Sequence, residues 1–88
     1  MIMTEDEKYC EMIKILARNC DVIDSYLREK WKAFYTDLLD GTNEYTIYAE
    51  MVYTTLVTDY DMKQIVRDMD DYDRVLFIMY LKCDKVYK

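Results

Sequence analysis

Carboxylates are the side chains of this sequence whose spacing invites a chemical reading. Asp59 with Asp61, and the cluster Asp68, Asp70, Asp71 and Asp73, lie close enough along the chain to share a divalent cation. A calcium-loop register fails at both places. Counted from Asp59, Lys63 falls at an oxygen-ligand position and no Gly stands at the sharp turn; counted from Asp68, Tyr72 and Met79 fall where ligands belong. A simpler role fits these acids, because each group precedes an apolar-periodic segment, where Asp accepts from free backbone N–H groups and complements the helix dipole. The remaining inventory closes other routes. There is no His, one Ser (Ser25), one Gly (Gly41) and no Pro, so a Ser or Cys nucleophile has no imidazole base and no Gly-rich loop can cradle a phosphate. Cys10, Cys20 and Cys83 show no CxxC spacing and have no His to complete a zinc set. The expectation is a chain with no cofactor, no metal and no enzymatic activity.

Helices are the elements that must position these acids. Thr4 and Glu7 form a capping-box pattern that opens a helix over about residues 5–18, with Tyr9, Met12, Ile13 and Leu16 on one face. Asp21 is placed to cap a second helix over 22–39. There Ile23, Leu27, Trp31, Phe34 and Leu38 recur at steps of three and four, Asp24 and Arg28 can pair, and Asp40-Gly41 supplies the stop. Trp31 and Phe34 stand on its densest apolar stripe and are expected to anchor the core. Residues 43–57 are rich in Thr, Tyr, Ile and Val, which favour strands. Their period decides for a helix, with Tyr45, Tyr48, Ala49, Val52, Tyr53 and Leu56 on one arc and no sustained alternation. The echo Asp59-Tyr60-Asp61 and Asp71-Tyr72-Asp73 marks two further starts, for helices over 60–69 and 72–84. The last contains seven consecutive apolar residues, Val75 to Leu81, too few to span a bilayer and therefore expected to form the buried central helix. The fold class that follows is all-α: a compact bundle of about five short helices in a single domain of 88 residues.

A composition of 52% hydrophobic and 34% charged residues suits a chain that folds in water. Residues 1–3 lead straight into acids, without the basic start and apolar stretch of a signal peptide, and the odd number of cysteines argues against a disulfide framework. A reducing, cytoplasmic location with no membrane association is expected.

Net charge is −6 and unevenly placed. Between Lys32 and Lys63 there is no Lys or Arg, whereas Asp37, Asp40, Glu44, Glu50, Asp59 and Asp61 all lie there. A negative surface repels phosphate backbones and anionic lipid and suits a protein partner with a basic surface, so nucleic acid is not expected to bind. Ten tyrosines and seven methionines are residue types over-used where one protein must fit another. On a helix over 43–57, Ile47 and Met51 point away from the apolar arc, beside Glu50. The expected interface is therefore Asp37, Asp40, Glu44, Ile47, Glu50, Met51, Asp59 and Asp61; a homodimer is compatible with the same pattern.

In composition the chain is similar to the accessory proteins by which viruses and phages bind and block host machinery, anti-CRISPR inhibitors among them. That resemblance implies an inhibitory or adaptor protein acting inside a host cell on a defence or nucleic-acid-processing factor. The alternative is a small helix-turn-helix regulator. Helices over 60–69 and 72–84 lie two or three residues apart and carry Lys63, Arg67, Arg74, Lys82, Lys85 and Lys88. Against it stand an apolar second helix and a turn made of Asp70-Asp71.

Overall fold

The computed structural model describes residues 3–42, 44–82 and 86–87. Thr4 and Glu7 make the capping box in full: the Glu7 N–H donates to Thr4 Oγ1 at 3.1 Å and the Thr4 N–H to Glu7 Oε1 at 3.0 Å. From this start α1 runs Glu5–Asn19. It is followed by α2 (Asp21–Lys30), α3 (Lys32–Asp40), a 3-10 turn (Thr46–Tyr48), α4 (Ala49–Asp59), α5 (Met62–Asp68) and α6 (Asp71–Leu81). A two-residue strand, β1 (Met3–Thr4), pairs in parallel with β2 (Val86–Tyr87), Met3 opposite Val86. The architecture is an all-α small bundle.

Its centre is α1. Met12, Ile13, Ile15, Leu16 and Ala17 are all buried, more than one amphipathic stripe can account for, because α2, α4 and α6 pack around this helix. α4 meets it through Ala49, Val52 and Leu56. The Thr-rich stretch is helical as its period indicates. Thr54, Thr55 and Thr58 each donate the hydroxyl to the carbonyl four residues back, at 2.9–3.0 Å, so their polar groups are satisfied within the helix. Elsewhere Gly41 closes α3 at φ 73°, the left-handed region, and Asp61 caps α5 by accepting from the Gln64 N–H at 3.2 Å.

Four expectations are corrected. The helix expected over 22–39 is two, α2 and α3, broken at Trp31, whose φ of −129° and ψ of 42° leave the helical region. Asp21 is the first residue of α2 and makes no side-chain cap there. Trp31 is half-buried at the break, with its indole N–H 3.4 Å from Tyr26 Oη, so Phe34 rather than Trp31 fills the core. Val75–Leu81 is not a buried centre: α6 lies at the edge of the bundle and buries Asp73 and Phe77, while Val75, Met79 and Leu81 are exposed. Boundaries also move. The helix expected from 43 begins at Ala49 after the 3-10 turn, and of the helix expected to reach 84, residues 83 and 84 lie outside the described residues, as does Asn43. Among the described residues, no helix is long and apolar enough to cross a membrane.

Candidate functional site

Asp37 organises the surface on which the candidate residues lie. It is 5% exposed, and its carboxylate accepts from the Glu44 N–H at 3.0 Å and the Tyr45 N–H at 2.9 Å. Its backbone carbonyl accepts from the Gly41 N–H at 2.8 Å. One buried aspartate thus ties the chain leaving α3 to the chain entering the 3-10 turn, and so sets where Glu44, Tyr45 and Tyr48 stand. Asp37, expected to face a partner, belongs to the lining of this surface but is nearly covered, and its carboxylate satisfies the backbone N–H groups of the turn from within.

Two adjoining grooves open beside that turn. One, of about 590 Å³, is walled by Asp40 and Glu44 at its acidic end and by Tyr45 and Lys32. The other, of about 270 Å³, is lined by Trp31, Phe34, Tyr48 and Met51. Tyr45, Lys32 and Ala33 belong to both, so the two form one concave surface with Tyr45 at the saddle. The Tyr45 and Tyr48 rings stack with centroids 6.4 Å apart. Met51, on the groove wall, is 49% exposed and Ile47, beyond the grooves, 68%, with Glu50 exposed between them in sequence. Charge on this surface is mixed, because Lys30 and Lys32 from the α2–α3 junction border the aromatic groove.

Of the expected residues, the structure gathers Asp40, Glu44 and Met51 around this surface and sets Ile47 and Glu50 on the segment that edges it. Asp59 and Asp61 are not brought there. They stand at the far end of α4, eight or more residues beyond Met51, or about 12 Å along a helix axis. The cluster that sequence reasoning missed as a surface is Trp31, Tyr45 and Tyr48. Trp31 carries a readable signal, since Lys30 and Lys32 flank it on both sides. Tyr45 and Tyr48 carry less, because the helical wheel drawn through 43–57 treats loop residues as helix.

The acid cluster near the C-terminus is structural. Asp70 caps α6 by accepting from the Tyr72 N–H at 3.1 Å, Asp71 pairs with Arg74 at 2.7 Å, and Asp68 accepts from Gln64 at 2.8 Å. Asp73 joins α6 to α1: Arg18 donates to both its oxygens, at 2.6 and 2.9 Å, and Asn19 donates at 2.8 Å. The Arg18 and Asn19 hydrogen bonds hold the Asp73 carboxyl down at about 2 against the opposing effect of burial. Burial pushes the Cys10 thiol up to about 11, so at neutral pH it is not a thiolate nucleophile. Among the described residues, no three Cys, Asp or Glu side chains are grouped to hold a metal ion. What the aromatic and acidic surface can do is bind. For the helix-turn-helix alternative, α6 turns Tyr72, Val75 and Met79 outward and starts with exposed Asp70 and Asp71, which offers phosphates little. No protein-family model, no curated protein and no solved structure matches the chain.

Proposed function

We propose that this chain is a protein-binding module, an inhibitor or adaptor that covers a basic patch on another protein through the surface formed by the end of α3, the 3-10 turn and the start of α4. The observation that carries the reading is the continuous groove in which Trp31, Tyr45, Tyr48 and Met51 adjoin Asp40 and Glu44. Aromatic and methionine side chains are the usual anchors of protein interfaces, and acids at the rim steer a basic partner. The composition shared with viral and phage accessory proteins supports a host factor as target, a nucleic-acid-processing or defence protein whose basic channel these acids would occupy.

A photo-crosslinking amino acid placed at Ile47, with the same group at exposed Val22 on α2 as control, tests the reading in lysate of the native host. The expected result is a discrete adduct from Ile47 alone, with a protein bearing a basic surface. Unlabelled wild-type chain should compete it away; Tyr48→Ala/Met51→Ala chain should not. Equal adducts from both positions, or competition by the double variant as good as by wild type, would overturn it.

A further inference from the structure

Tyr72, Val75, Met79 and Lys82 follow one another at steps of three, four and three residues, the a/d spacing of a coiled-coil seam. All four lie on the outer side of α6, where Tyr72, Val75 and Met79 are 70, 59 and 61% exposed, while Asp73 and Phe77 turn inward. Charge along the seam is polar: Asp71, exposed although it pairs with Arg74 of its own helix, stands at its start, and Lys82, which pairs with no carboxylate among the described residues, at its end.

We propose that a second copy of this chain docks here, α6 against α6 in antiparallel orientation, to form a weak two-fold symmetric homodimer distinct from the partner-binding groove. Alignment about Phe77 sets each a position against a d position: Val75 against the partner subunit's Met79, and Tyr72 against the partner subunit's Lys82. That lysine then lays its apolar stem and ammonium over the Tyr72 ring and reaches Asp71. The same contacts recur across the two-fold axis, as an isologous interface requires. Parallel pairing is disfavoured because it sets Asp71 beside Asp71 and Lys82 beside Lys82. Eleven residues give a seam only about 16 Å long. So short a seam falls below the ~800 Å² per subunit of a stable interface, which makes the dimer a weak, transient one.

Sedimentation equilibrium from about 20 μM to 1 mM tests this on the whole chain. The weight-average mass should rise with concentration from 10.8 kDa toward twice that value. Val75→Asp should hold the chain monomeric across the range with its melting temperature nearly unchanged. Asp71→Lys and Lys82→Glu should each weaken self-association several-fold alone, and an equimolar mixture should restore it, because the mixed dimer pairs Lys with Glu and Lys with Asp. The groove double variant Tyr48→Ala/Met51→Ala should dimerise like wild type, so loss of partner binding and loss of dimerisation are separable results. A constant 10.8 kDa up to 1 mM, or a dimer indifferent to Val75→Asp and to the charge mixture, overturns the proposal.

Discussion

α1 and α6 invert what their compositions suggest. α1 carries Glu5, Asp6, Glu7, Glu11, Lys14 and Arg18 and still buries nearly every residue from Met12 to Ala17. α6 contains the longest apolar run in the chain, yet it buries Asp73 and Phe77 and leaves Val75 and Met79 exposed. Hydropathy reports how much apolar surface a helix has, whereas burial is decided by how many neighbours reach it, and α1 is reached by α2, α4, α5, α6 and the 3-10 turn. The outward stripe of α6 is then surface left over by the monomer, the face on which a second copy is proposed to dock.

The largest effect should come from the enclosed helix. Leu16→Ala should cost about 2–5 kcal/mol, because a cavity opens where several elements converge. Val75→Ala on α6 should cost less than about 0.5 kcal/mol, as exposed substitutions do. Urea unfolding of the two variants at a protein concentration well below 10 μM, where the monomer dominates, measures the ratio. Equal losses would mean that α6 is as enclosed as α1.

Next in size is the link between the two helices. Asp73→Ala leaves the Arg18 guanidinium and the Asn19 amide without their shared acceptor, and losing hydrogen bonds to a charged group should cost about 1.5–3 kcal/mol. The Asp73 carboxyl titrates lower in the folded chain than in the unfolded one, so its stabilisation is fully present above the ordinary carboxylate range. It is lost as pH falls through about 4 to 2. Urea midpoints followed down this range should fall for wild type and fall less for Asp73→Asn. A parallel fall in both would remove the acid limb from Asp73.

Local signals were legible in the residues and long-range ones were not. Thr4 with Glu7, and Gly41, act within one turn of their own positions, and each does in the structure what its type and spacing indicate, while the helix start at Asp59-Tyr60-Asp61 is found two residues later than expected, with Asp61 rather than Asp59 at the cap. The break at Trp31 left no mark, since no Gly or Pro accompanies it. Trp31 still donates to the Leu27 carbonyl and accepts from the Tyr35 N–H, so the apolar steps of three and four run through the break almost in register. The Arg18–Asp73 pair joins residues 55 apart, and the groove joins α3 to the start of α4 through a buried aspartate; neither has a local period to betray it. Of the expected interface, Ile47 and Met51 were found as exposed residues because they escape the apolar arc, whereas the burial of Asp37 was not legible because a charge count does not tell a rim carboxylate from one that holds a turn.

A smaller effect on stability is expected at Trp31. Half-buried at a helix junction, it should lose about 1–2 kcal/mol on truncation to Ala, below the roughly 3–5 kcal/mol of Phe34→Ala at the adjacent core position. Thermal melts of the two variants decide which aromatic anchors the core. If Trp31→Ala is the more damaging, the α2–α3 junction is more tightly enclosed than the groove beside it allows.

The smallest effect on stability should fall on the surface proposed to bind a partner. Ile47→Ala and Met51→Ala remove side chains that are already about half or more in water, so each should leave the melting temperature within about 2 °C of wild type. Their effect belongs to the complex. With the crosslinked partner purified, each should raise the dissociation rate several-fold at nearly constant association rate, because desolvated anchors hold a complex once formed. Glu44→Gln/Glu50→Gln should do the reverse, slowing association and flattening its dependence on salt, since these acids act at a distance before contact. Asp37→Asn separates the two roles. It removes the charge of a groove-lining side chain that is only 5% exposed and weakens the acceptor of two backbone N–H groups, so it should lower the melting temperature and disturb the groove residues together. Should Asp37→Asn instead slow association as the rim acids do while the melt stays unchanged, the buried carboxylate is part of the steering field, and the turn is held by something else.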